Sequence, residues 1–292
     1  MTTSTRHAED RDGSTRPESD GRRRYSLSRR ATLRTVTRLQ AGYRQDVPAA
    51  VAAVARLRRE AGRDAYASPT GWGLDDLEAL TEIREQERRQ EQERREGREA
   101  APRYFSPTAR RRNEQRAERE ERAVHLAVTL WALHQQSLRD EPMHVPGWSL
   151  GRAVRRLAHG KTGTQDPARS HDAEVGSDGG EAQEPEPVEE VSATIRKRFV
   201  RIGTSTDVDT LSGRLREMVL LLRASRIPLD YGLLADQICR WQDEDHQDDI
   251  RRAWGREFHL TYGRTEADGD DGGSTPPSDS GRPDFTSDDA GD

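Results

Sequence analysis

Residues 208–241 read VDTLSGRLREMVLLLRASRIPLDYGLLADQICRW. Val208, Leu211, Leu215, Met218, Val219 and Leu222 recur at helical spacing, and Leu220 and Leu221 fill more of the circumference, so this helix belongs at the centre of a bundle. Pro228 then opens a second helix, in which Leu234, Ile238 and Trp241 line up. Downstream, Ile250, Trp254 and Phe258 form one row. Upstream, Ala123–Leu138 reads as a buried helix with Leu126, Leu130 and Leu133 on one side and Val124, Ala127, Val128 and Trp131 widening it. Pro142 and Pro146 end that element. Ser149 caps a helix running to His159, with Leu150, Val154 and Leu157 facing one way. Further upstream, Pro48 opens the helix containing AAVAAVARLRRE, and Leu74–Ile83 reads as a short helix. Nothing reads as a strand, and there is no internal repeat. The expectation is an all-α protein in two helical halves.

The rest of the chain is polar. Only 31% of the residues are apolar and 35% are charged, which leaves much of the length without a core to join. Residues 1–24 read as a disordered tail, 25–164 as an N-terminal helical region, 165–190 as an acidic linker, 191–264 as a C-terminal helical bundle and 265–292 as an acidic disordered tail. Within the first region, 84–122 (REQERRQEQERREGRE, then ARRRNEQRAEREER) has no apolar face. Charges at i,i+4 support a solvated helix there, with a break near Ala101-Pro102. A coiled coil needs apolar a and d positions, and they are missing.

The formal charge of −5 conceals a division. Residues 165–190 and 265–292 each carry nine acids and one Arg, together −16, so the remainder holds +11. Gly21 to Arg63 alone has twelve Arg against Asp46 and Glu60. The low pI therefore describes the acidic segments, while the part able to fold has the charge of a polyanion binder. Cys239 is the only cysteine, which excludes an internal disulfide and a Cys-rich zinc site and suits a reducing, cytoplasmic setting. The N-terminus lacks the apolar core of a signal peptide, and the longest strongly apolar run, Met218–Leu222, is too short to span a bilayer. No membrane, metal or cofactor role is expected.

Catalytic signatures fail one by one. His159-Gly160-Lys161-Thr162 faintly resembles a phosphate loop, but Arg155 stands where a Gly is required and no strand precedes it. The acids of 243–249 join Trp241 to the Ile250 helix, where they serve as caps, and Asp248 is placed to pair with Arg252 at i+4. His134 reads as a packed or hydrogen-bonded core histidine, Cys239 as an inert buried thiol, and Trp131, Trp241 and Trp254 as core. Basic stripes remain. Arg152, Arg155, Arg156 and His159 share a helix side, and 149–159 contains no acid to neutralise them. Arg56, Arg59 and Arg63 stack similarly. Arg196, Lys197, Arg198 and Arg201 are offset by nearby Glu189 and Glu190. Guanidinium forks on such stripes bind phosphate irrespective of base sequence. The same stripes can equally be solvated faces or dock an acidic protein partner. A stand-alone DNA-binding regulator would need a base-reading recognition helix, and none is found.

Several phrases in order carry a resemblance: ARLRRE at 55–60, LAVTLWALHQQ at 126–136, DEPMHVPGWSLGRAVRRL at 140–157, LREMVLLLRASRIPLDYGLLADQICRWQ at 215–242 and RRAWGREF at 251–258. Together they resemble the CasB family, the small subunit of the type I-E CRISPR surveillance complex Cascade. The resemblance implies an all-helical, non-catalytic protein of antiviral defence. It also implies two copies packed head to tail against the complex's backbone and large subunits, near guide RNA and target DNA, helping to hold the R-loop and the displaced strand. The positions it points to are Arg56, Arg59, Arg152, Arg155 and Arg156, with Arg198 and Arg223 beside them. The alternative is a purely architectural subunit whose Arg stripes dock acidic protein surfaces. The charged insertion, the acidic linker and both tails depart from the family pattern.

Overall fold

The computed structural model describes residues 25–66, 77–96, 106–164 and 192–260. Among them are nine α-helices: α1 Leu27–Arg44, α2 Pro48–Glu60, α3 Glu78–Glu96, α4 Pro107–Gln135, α5 Leu150–Ala158, α6 Ala193–Gly203, α7 Val208–Ala224, α8 Tyr231–Trp241 and α9 Glu244–His259. The all-α reading holds. The only strand-like pairing among the described residues is an isolated parallel bridge between His144 and Leu229. The tail of 1–24, the linker of 165–190 and the tail of 265–292 lie outside the described residues, as does the break at Ala101-Pro102.

From Ala123 to Gln135 every residue of α4 is buried. A helix apolar all round must be covered all round, and α1, α2, α7 and α8 do this. Leu126, Leu130 and Trp131 meet Leu215, Met218 and Leu222 of α7 and Leu234 and Ile238 of α8 in one core. α1 packs along α8, so the two helical regions expected from the sequence meet in that core. On the other side α9 rests on α5 and α8, while α6 bridges α5 and α7.

Asp230 and Gln40 tie the core's polar groups to the loop between α4 and α5. Asp230 caps α8 through the Leu233 amide at 2.9 Å, accepts from the Gly147 amide at 3.0 Å, and faces Arg29 of α1 at 3.5 Å. Gln40 reaches across from α1, accepting from the His144 amide at 2.8 Å and donating to the His144 carbonyl at 3.1 Å. These bonds pin the loop between α4 and α5, which therefore presents Ser149 as the cap of α5.

Four boundaries differ from the sequence reading. The helix read as Leu74–Ile83 is α3, which runs on past Ile83 to Glu96 through the charged stretch. The helix read as opening at Pro228 begins at Tyr231, because Leu229 bridges to His144 and Asp230 is the cap. α4 begins at Pro107, well before Ala123, because the polar stretch is itself helical and continues into the buried half. α9 begins at Glu244, so the acidic cluster forms its first turns instead of a connection to it. The Asp248–Arg252 pair is accordingly corrected. Asp248 takes Arg251 and Asp249 takes Arg252, each at i+3.

Candidate nucleic-acid interface

Arg56 and Arg59 stand exposed on α2, whose other side buries Ala53, Val54 and Leu57. Glu60, the acid next to them, faces Arg63 at 3.8 Å. Beyond Glu60 the chain turns through Gly62 at φ +89°, a backbone state natural to glycine. That turn lays the end of α2 against α7. A Cβ on Gly62 would sit 3.1 Å from Cδ of Arg216, itself exposed. Arg59, Arg63 and Arg216 thus come from two elements to one surface. Arg216 escapes the sequence reading because the apolar rows of its helix dominate the pattern.

The stripe on α5 is placed differently. Arg152, Arg155 and Arg156 are all half-buried. Arg152 lies 4.2 Å from the centroid of the Trp148 ring, a cation–π stack. Arg155 donates to the Phe258 and His259 carbonyls at 3.1 and 3.2 Å, closing the last turn of α9. Arg156 donates to the Gly163 carbonyl at 2.6 Å and the Thr162 carbonyl at 2.8 Å. Arg223 is also half-buried, with Nε donating to the Gln136 carbonyl at 3.1 Å. Arg198 is exposed on α6 and faces Glu217 at 3.7 Å. Along the same helix Arg196, Lys197 and Arg201 are exposed, together with Val200, 56% accessible.

The basic N-terminal block turns out to be largely spent on neighbours. Arg30, Arg34 and Arg38 of α1 pair with Glu87, Glu82 and Glu78 of α3, and Arg44 donates to the Arg139 and Asp140 carbonyls. Glu87, from the stretch that reads as a solvated insertion, and Glu78 and Glu82, from the short helix read before it, thereby supply acids to the block that reads as basic. No pattern within any one segment could announce a pairing across so many residues.

His134 is fully buried with Nδ1 2.8 Å from the Tyr231 hydroxyl, and burial, helped by nearby Arg223, pushes its pKa down to about 3. It is a neutral core group. Burial raises the Cys239 thiol to about 11, too high for a thiolate at neutral pH. No group of three His, Cys, Asp or Glu among the described residues could hold a metal ion, and none of the described helices is long and apolar enough to cross a membrane. The chemistry these surfaces offer is charge presented on a helical frame.

The family model for CRISPR-associated protein Cse2 matches residues 53–259. The chain belongs to the Cse2 family. The crystal structure of CasB from Thermobifida fusca is similar to it at 34% sequence identity and a TM-score of 0.55, covering 81% of this chain and 99% of that one. No curated protein matches. The Cse2 match takes in the whole α2–α7 surface and the α5 stripe, and it includes α3 and the exposed half of α4.

Proposed function

We propose that this Cse2-family chain is a non-catalytic small subunit of a type I-E CRISPR surveillance complex, steadying the R-loop and displaced strand through sequence-independent contacts to phosphate. The observation that carries this is the surface at the end of α2. There Arg59 and Arg216 stand exposed, and among the described residues neither has an acid within ion-pair distance. Exchanging a DNA duplex for an RNA–DNA heteroduplex is nearly balanced in energy, so a few backbone contacts decide its persistence. Arg56 adds to this surface. Arg155 and Arg223 each have five N–H donors, so their carbonyl bonds leave donors for phosphate; Arg152 and Arg156 add charge to the same stripe, and Arg198 extends the surface onto α6. In this reading the partners are the other Cascade subunits, a second copy of the chain, guide RNA and target DNA.

A protein-docking role is favoured at one place. Val200 lies exposed among Arg196, Lys197 and Arg201, a mixed apolar and cationic face suited to an acidic protein surface. A reconstituted complex separates the two roles. Changing Arg56, Arg59 and Arg216 to Gln is expected to shorten R-loop lifetime while the subunit stays assembled. Changing Arg196, Lys197 and Arg201 to Gln is expected to release the subunit. Loss of assembly from the first set with no change in R-loop lifetime would reassign the α2–α7 surface to protein contact.

A further inference from the structure

Arg30, Arg34 and Arg38 fall at i, i+4 and i+8 on α1, so their side chains stack along one face about 6 Å apart. Opposite them Glu87, Glu82 and Glu78 of α3 run the other way. Arg34 meets Glu82 at 2.6 Å, Arg38 meets Glu78 at 3.2 Å, and Arg30 bonds Glu87. These are surface pairs. The three glutamates are 48–53% exposed, and Arg34 and Arg38 are more exposed still. Pairs of this kind contribute little to stability and weaken with salt. What seats α3 on the body is separate: the apolar residues Ala79, Leu80 and Ile83, and Arg84 bonded to Glu120, Glu121 and the Ala117 carbonyl. The carboxylates can therefore swing away without α3 leaving its place. The row of cations at regular spacing, each met by an exposed carboxylate, has the form of a strand-binding surface already occupied by an internal acidic substitute.

We propose that Arg30, Arg34 and Arg38 form a covered binding surface for a nucleic-acid backbone, and that Glu78, Glu82 and Glu87 stand where phosphates would. A polyanion displaces them pair by pair, which makes this second surface answer only to a strand already held nearby. The inference rests on the nucleic-acid reading above, but its test is independent. Binding of a labelled single-stranded deoxythymidine oligonucleotide to the full chain is measured by fluorescence anisotropy across a salt series. Glu78→Gln, Glu82→Gln and Glu87→Gln together are expected to tighten binding about tenfold at low salt and to steepen the log–log salt slope by about 2, the value for three newly released contacts to a single strand. Adding Arg30→Gln, Arg34→Gln and Arg38→Gln should remove the whole gain. Glu82→Gln alone should give about a third of the slope change, which keeps the test open if the triple variant fails to fold. An unchanged slope in a folded Glu variant, or a gain that survives loss of the three arginines, overturns the proposal. If the unaltered chain does not bind and the Glu variant does, the proposal stands and direct binding by the α2–α7 surface falls. If neither binds, both fall.

Discussion

Gly151 and Gly232 sit at helix crossings, and the atoms around them decide what a side chain there would cost. A Cβ at Gly151 would lie 2.5 Å from the Trp254 carbonyl oxygen and 2.6 Å from the Phe258 amide nitrogen, both fixed backbone of α9. At Gly232 the nearest atom is Cγ of Leu33, at 2.6 Å, part of a side chain that can turn. Gly151→Ala is therefore expected to lose about 3 kcal/mol in urea unfolding, and Gly232→Ala about 1 kcal/mol. His134 gives a pH signature. Its folded pKa, about 3, lies below the unfolded value near 6.5, so the unfolded chain binds the extra proton between those limits. Its contribution is complete above about pH 6.5 and is lost as pH falls towards 3, at up to about 1.4 kcal/mol per unit. His144, whose pKa burial also lowers, acts in the same direction. The urea midpoint should fall steadily from pH 7 to pH 4, and His134→Gln should flatten the fall; a parallel curve would remove His134 from the account.

Among the elements, α9 shows what an arginine stripe does when the fold reaches it first. Arg155 closes its last turn by donating to the Phe258 and His259 carbonyls. Arg155→Gln should cost about 1 kcal/mol and speed hydrogen exchange at the final amides of α9 while leaving α8 protected. Unaltered exchange there would return Arg155 to solvent. Apolar helices were legible because their period is local: Leu211, Leu215, Met218 and Leu222 repeat within one segment, and all four are buried. The role of the polar helices was not legible. Arg30 meets Glu87 across 57 positions and Arg119 meets Asp243 across 124, so neither segment alone could show whether its charge faced water or a partner. The same limit explains the site. Exposure of Arg56 and Arg59 follows from the apolar row of their own helix, whereas the carbonyls held by Arg155 lie in α9, a segment that only the fold brings near.

At the scale of the molecule, the first and eighth helices depend on one another. α1 packs on α8, Asp230 faces Arg29 at 3.5 Å, and α4 needs both to cover it. A fragment ending at Ala224 should fail to give the dispersed spectrum of a packed core, even though it keeps seven of the nine described helices; a folded fragment would show that the shared core is dispensable. The junction of α5 and α6 is tied down just as firmly. The Gly163 amide donates to the Ser225 carbonyl at 2.9 Å, and the Ser192 amide donates to the Ala158 carbonyl at 2.8 Å. The chain thus departs and returns at two moored points. For a linker such as the sequence reads at 165–190, added length costs only about 0.6 kcal/mol of closure entropy for each doubling. This is the natural splice point for a reporter: a fluorescent domain grafted there would travel with the subunit while both termini stay as they are.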